Sequence, residues 1–183
     1  MTQLALVVDD ELCFDCKACE VACKQENDVP TGVRWIMVIP VGPKKVGDNL
    51  IARFVPTPCL HCAKPPCAEA CPVDAIKKRG DGIVIIDEGL CIGCGDCIPA
   101  CPFSVIGIDP QKNVAQKCTL CLHRIEEGLL PACVQACPSG AMFFGDLNDP
   151  FSAVSILSRE RRAFRLMEEL GTEPKVIYLS EGT

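Results

Sequence analysis

The chain has 183 residues, enough for one domain or two small ones, and its 49% hydrophobic but only 5% aromatic content argues against an ordinary large apolar core. Sixteen cysteines in a short secreted chain would read as a disulfide scaffold, whereas in a reducing compartment they read as metal ligands. A net charge of −6 without a basic stripe argues against a nucleic-acid-binding surface.

Residues 1–11 carry no basic leader, twin arginine, long apolar stretch or small-residue cleavage site. The expectation is therefore a soluble, cytoplasmic chain without an export signal of its own, with carriage by an exported partner left open. No apolar run approaches the roughly 20 residues that span a bilayer. A strand is expected at residues 4–8, followed by a first quartet, Cys13, Cys16, Cys19 and Cys23, spaced C-x2-C-x2-C-x3-C. Strands at 35–39 and 51–55 flank a surface loop or hairpin tip at 42–48. The second quartet, Cys59, Cys62, Cys67 and Cys71, widens the middle gap to four residues and ends in Pro72. After a turn at Arg79-Gly80-Asp81-Gly82 and a strand at 83–86 comes a third, Cys91, Cys94, Cys97 and Cys101, ending in Pro102. The fourth quartet, Cys118, Cys121, Cys133 and Cys137, holds eleven residues between its middle members and ends in Pro138. That insertion, 122–132, reads as a short helix stopping at Gly128 over an outer metal site. A strand at 141–144 follows. Asp149-Pro150 reads as a helix start, and Phe164, Met167 and Leu170 as a helical stripe ending at Gly171. A strand at 175–179 closes the chain.

No cysteine is left over, and the repeat of four quartets organises everything else. Three cysteines at two-residue spacings can wrap one loop around three corners of a cubane cluster, and a fourth cysteine, three residues on, points away and ligates another cluster in two-cluster ferredoxins. The proline after it biases that cysteine out of the α region. Quartets should therefore trade their last cysteine in pairs. Zinc ribbons separate two C-x2-C knuckles by roughly 15–20 residues and have no use for a triple-cysteine loop with a trailing Cys-Pro. With sixteen thiols present, His61 and His123 are expected to bond backbone rather than metal. Lys17, Lys64 and Lys117 lie beside cysteines, where their charge could raise potentials, but solvated surface positions fit them equally well. Trp35 and Tyr178 are read as packing residues, and Gly93 and Gly95 as letting the backbone approach a cluster. There is no nucleophile elbow, phosphate-binding loop or dinucleotide fingerprint, so no catalytic site is expected.

Residues 59–72 with 91–102 resemble a bacterial two-cluster ferredoxin. The run from Cys13 to Pro138, with Glu20-Val21-Ala22-Cys23-Lys24-Gln25-Glu26-Asn27 and the terminal Pro174-Lys175-Val176-Ile177-Tyr178-Leu179, resembles the four-cluster iron–sulfur subunits of the dimethyl sulfoxide reductase superfamily. Relatives in that superfamily serve polysulfide, thiosulfate and nitrite reductases, formate dehydrogenase and hydrogenlyase, and tungsten aldehyde oxidoreductases. The resemblance implies an α+β fold of two stacked ferredoxin-like modules. The outer module would comprise residues 1–52 and 110–148, the inner one 53–109, and 149–183 would be a packing and docking segment. It implies four 4Fe-4S clusters: Cys13, Cys16 and Cys19 with Cys137; Cys118, Cys121 and Cys133 with Cys23; Cys59, Cys62 and Cys67 with Cys101; and Cys91, Cys94 and Cys97 with Cys71. Some relatives carry tryptophan in the third quartet and hold a three-iron cluster; Cys94 is present here. The first quartet departs from the others in having Lys24 in place of proline, which bears on local helix geometry and not on ligation. The function implied is an electron relay between a molybdenum- or tungsten-pterin catalytic subunit and a second redox subunit or carrier. A stand-alone polyferredoxin carrier and a cluster-stabilised scaffold are the alternatives. The ligand-free tail is expected to present Arg159, Arg161, Arg162 and Arg165 as a charged docking face, and its removal to leave iron content near normal.

Overall fold

The computed structural model describes residues 2–160 and 162–180. Each quartet is joined to the next by a pair of antiparallel strands, and the last pair joins the fourth quartet back to the first. Strand β1 (Leu4–Asp9) leads into the first quartet, where helix α1 (Ala18–Glu26) carries Cys19 and Cys23. Strands β2 (Ile36–Val46) and β3 (Asn49–Pro58) form the hairpin that connects it to the second quartet. The expected loop at 42–48 is mostly ladder: the pairing bulges between Val41 and Lys44 and resumes to Val46–Asn49. Helix α2 (Pro66–Glu69) follows, and β4 (Ile76–Lys78) with β5 (Val84–Ile86) spans the way to the third quartet. Helix α3 (Cys97–Ala100) then precedes β6 (Gly107–Asp109) and β7 (Val114–Gln116), the hairpin to the fourth. Helices α4 (Leu122–Glu126) and α5 (Ala132–Gln135) belong to the fourth quartet. Strand β8 (Met142–Asp146) returns from it and pairs antiparallel with β1, Val8 opposite Met142 and Leu4 opposite Asp146.

The described chain past β8 packs against the sheet. Helix α6 (Ala153–Glu160), strand β9 (Ala163–Phe164), a single 3-10 turn (Glu168–Leu170) and strand β10 (Ile177–Leu179) complete a four-stranded sheet in the order β8-β1-β10-β9, with β1 and β10 parallel. The helix starts three residues after Pro150, with Ile156 N bonded to Ser152 O. The expected helical stripe does not form: Phe164 pairs with Tyr178 across β9 and β10, and Met167 and Gly171 adopt left-handed φ of 52° and 66° that break any helix. Side chains alternate across the sheet with the two-residue period of a strand. Val7, Ile177 and Leu179 pack under Val154 of α6, while Leu6, Val8, Met142 and Tyr178 face the core that holds the cysteines. The Tyr178 hydroxyl, wholly buried, donates to Pro56 O at 3.1 Å and so ties the sheet to β3. Arg159, Arg162 and Arg165 are exposed, and Arg165 is tied down by Pro174 O and Glu168; Arg161 of the expected face lies outside the described residues.

The architecture is α+β and ferredoxin-like. Its helices are short for a local reason. After Cys71, Cys101 and Cys137 stands a proline, and helices α2, α3 and α5 have four residues each, with Cys101 extended at φ −86°, ψ 110°. After Cys23 stands Lys24, and α1 runs on to nine residues. No helix among the described residues is long and apolar enough to cross a membrane.

Candidate metal centres

In all four loops the residue just before the second cysteine is left-handed: Asp15, His61, Gly93 and Leu120 have φ of 62°, 42°, 70° and 56°. That conformation curls the loop so that successive N–H groups turn towards one concavity, the backbone arrangement of anion nests and iron–sulfur sites. A second recurrent turn follows the trailing cysteines, with Asp74, Ser104 and Gly140 left-handed and each donating its N–H to the carbonyl of the cysteine three residues earlier. It throws the chain directly towards strands β4, β6 and β8.

These turns bring sixteen thiols together in four sets, each of three cysteines from one quartet and the last cysteine of another. Cys13 lies near Cys16 and Cys137, and Cys19 near Cys13 and Cys137. Cys118 and Cys133 lie near Cys23, which is itself near Cys121. Cys59, Cys62, Cys67 and Cys101 line one small apolar cavity with Leu60, Val84 and Val105. Cys71, Cys91, Cys94 and Cys97 line a second with Ile76 and Ile86. Among the described residues no three His, Cys, Asp or Glu side chains stand close enough to hold one metal ion. Sets built from a three-cysteine loop and one trailing cysteine have the donor chemistry of a cage of iron and sulfide.

The sets are contiguous. Cys19 of the first lies near Cys23 and Cys133 of the second, and Cys118 of the second near Cys59 of the third. Cys67 of the third shares an apolar cluster with Cys97 of the fourth. Exposure follows the same order, for Cys16 and Cys94, in the two end sets, are the exposed cysteines, whereas Cys118, Cys121 and Cys133 in the middle are buried.

Burial sets the protonation chemistry. It pushes the thiols of Cys19, Cys23 and Cys67 up to about 12 and those of Cys62 and Cys97 up to about 11. Such groups become thiolates only against a metal, so ligation expels protons and couples metal binding to folding. Polar hydrogens already point at several sulfurs. Ala75 N donates to Cys71 Sγ, Ala115 N to Cys91 Sγ and Leu120 N to Cys118 Sγ, each at 3.3 Å. Asn27 Nδ2 stands 3.5 Å from Cys121 Sγ and 3.9 Å from Cys23 Sγ, joining two thiols of one set. Nothing in the local spacing singled Asn27 out, because its partner lies 94 residues away.

The remaining residues divide. His61 is 1% exposed and its Nδ1 accepts from Val84 N at 3.0 Å; burial, then the charge of Lys117, hold it well below the usual histidine range. His123 pairs with the Glu26 carboxylate at 2.9 Å rather than with backbone, beside Arg124 on the other carboxylate oxygen. Lys17 and Lys64 are solvated, with Asp15 and Glu173 as partners, but Lys117 is 2% exposed. Trp35 and Tyr178 are buried packing residues. Gly93 is needed by the neighbouring hairpin, since a Cβ there would stand 2.2 Å from Asn113 O.

Four thiol sets under an α+β frame define an iron–sulfur protein. Residues 50–147 match the 4Fe-4S dicluster domain family. A Halobacterium salinarum protein named as the iron–sulfur subunit of a dimethyl sulfoxide reductase is 39% identical over 98% of this chain and 80% of its own length. A tetrathionate reductase subunit of Salmonella typhimurium is 41% identical over 96% of this chain and 71% of its own. A polysulfide reductase component of Wolinella succinogenes is 38% identical over 93% and 91%. The chain belongs to the 4Fe-4S dicluster family, and its work is electron transfer rather than catalysis.

Proposed function

We propose that this chain is a relay subunit holding four 4Fe-4S clusters, one in each thiol set, between a molybdenum- or tungsten-pterin catalytic subunit and a second redox subunit. The ligands are Cys13, Cys16, Cys19 and Cys137; Cys23, Cys118, Cys121 and Cys133; Cys59, Cys62, Cys67 and Cys101; and Cys71, Cys91, Cys94 and Cys97. The observation that carries the reading is the contiguous line of sets with exposed cysteines at the two ends and buried ones between. A bound 4Fe-4S cluster takes up and releases single electrons without bond chemistry at a substrate. The protein's part is to hold neighbouring sites close, exclude water from the middle and leave each end open to a docked protein. The relatives are named as components of multi-subunit reductases, which supports a place inside a complex with a catalytic partner. We assign the relay to the cytoplasm.

The same placement supports an outer module of residues 1–52 and 110–148 and an inner one of 53–109. The strand pair β1/β8 serves the first and fourth quartets and β4/β5 the second and third, while β2/β3 and β6/β7 cross between them. The module boundaries then fall inside those two crossing hairpins.

The test is metal content and electron delivery. The anaerobically purified chain should hold about sixteen iron and about sixteen acid-labile sulfide, and after dithionite reduction should pass electrons to an acceptor. Cys71→Ser should disturb the site of Cys91, Cys94 and Cys97 and leave that of Cys59, Cys62 and Cys67. About four zinc without labile sulfide would sink the cluster reading, and clusters that reduce but deliver nothing would leave a scaffold.

A further inference from the structure

Lys117 lies between β7 and the fourth quartet, and it is among the largest side chains to be fully buried in the molecule. Its Nζ donates to Val84 O and, at 3.2 Å, to Cys118 O. Those two carbonyls belong to different centres. Cys118 is a member of the second thiol set, and Val84 lines the cavity of the third. His61, from the loop of the third set, hangs on the N–H of the same Val84. The charge of Lys117 reaches Cys67 of the third set, where it opposes the effect of burial. The lysine is thus a strut across the junction at which Cys118 approaches Cys59.

A buried ammonium without a counter-charge is costly. Among the described residues no Asp or Glu pairs with Lys117, whereas Lys17, Lys64 and Lys112 each hold a carboxylate at the surface. The Lys117 ammonium instead meets the carbonyls of Val84 and Cys118 and reaches Cys67 of the third set, and a thiolate-ligated cluster carries net negative charge that grows on reduction. A fixed cation there stabilises the more negative, reduced state.

We propose that Lys117 is a redox-tuning residue whose ammonium, set between the second and third centres, raises the reduction potentials of both. The proposal rests on reading the thiol sets as cluster sites. Each hop moves one electron from a centre to its neighbour, oxidising one as it reduces the other, with no proton or ligand exchanged. Raised potentials at the two buried centres give electrons a resting place in the middle of the line, away from the exposed cysteines at its ends.

The test is an anaerobic redox titration of the full chain followed by electron paramagnetic resonance. Lys117→Met, with full iron content, should lower two of the four midpoint potentials and leave the other two in place. Lys117→Arg, which keeps the charge, should titrate like the parent, and Lys64→Met, which removes a solvated charge, should move none. The inference is overturned if Lys117→Met leaves every potential unchanged, if all four move together, or if Arg behaves like Met. It is overturned as well if Met loses iron while Arg does not, because the lysine is then a structural tie. A parent chain without four titrating centres would instead overturn the cluster reading itself.

Discussion

At the scale of single residues, the left-handed position before each second cysteine is the unit from which the centres are built. Asp15, His61 and Leu120 hold that conformation with a Cβ, against a local preference that disfavours it by roughly 1–3 kcal/mol. Gly93 differs because its loop is pressed against the turn of the β6/β7 hairpin, where Asn113 is itself left-handed. A Gly93→Ala chain therefore combines backbone strain with a collision against a carbonyl that cannot swing away. It should lose about 1–3 kcal/mol or more in urea unfolding and shed iron from the site of Cys91, Cys94 and Cys97. Gly95→Ala is the comparison, since that residue is also left-handed but has nothing nearer than Ile98 Cδ1 at 4.0 Å. Equal losses for the two variants would show that conformation alone, and not the Asn113 contact, sets the cost. The spacing of cysteines made the four quartets legible in the sequence, because their members recur at short range. The surroundings of Lys117 and Asn27 were not legible, since they are fixed by residues tens of positions away.

Among the elements, the trailing Cys-Pro and the left-handed turn after it act as one device that stops a helix and starts a strand. Strands β4, β6 and β8 all begin within five residues of that proline's turn, yet β4, β6 and β7 have only three residues each, too short for a two-residue alternation to be read. The recurrence of Cys-Pro-x-x before each of β4, β6 and β8 is the signal that would have found the first two. The spacing of Phe164, Met167 and Leu170 misled in the opposite direction, because pairing of β9 with β10 outweighs a three-residue helical period. Lys24 shows what the device does by lacking it. Its Nζ donates to Val33 O at 2.6 Å and Pro30 O at 3.1 Å, so a longer α1 is pinned to the chain that leads into β2. Lys24→Pro, which gives the first quartet the pattern of the other three, should cost about 3 kcal/mol or more through the ring's clash with the turn before it. Lys24→Met should cost only about 1 kcal/mol through the lost hydrogen bonds. Thermal unfolding of the two variants orders them, and a proline variant as stable as the methionine one would mean that α1 tolerates the shorter geometry.

Taken whole, the molecule is a circuit of four quartets and four strand pairs, closed by β1 and β8 from opposite ends of the chain. No local pattern announces that closure, and none announces that the ligand-free tail inserts β10 beside β1 at its heart. The tail also lies along the second quartet: Lys175 N bonds to Leu60 O at 2.8 Å, and Ala63 N and Lys64 N bond to Glu173 O and Thr172 O. Removing residues 158–183 is therefore expected to do more than loosen a partner. Val176, Ile177 and Leu179 are buried to within 4% of full exclusion from water, and such side chains contribute about 1.5–3 kcal/mol each. Their sum, roughly 5–9 kcal/mol, is comparable to the whole stability of a typical domain, about 5–15 kcal/mol. The loss also uncovers Leu6 and Val8 and cuts the ties that hold the Cys59–Cys62 loop. The truncated chain should accumulate in insoluble form or be purified with well under the parent's iron and labile sulfide. A milder variant separates this from docking. Arg159→Ala with Arg162→Ala changes two exposed side chains and leaves β10 in place. That double variant should keep its iron, so a truncated chain that also keeps full iron and a cooperative unfolding transition would return the tail to a docking role alone.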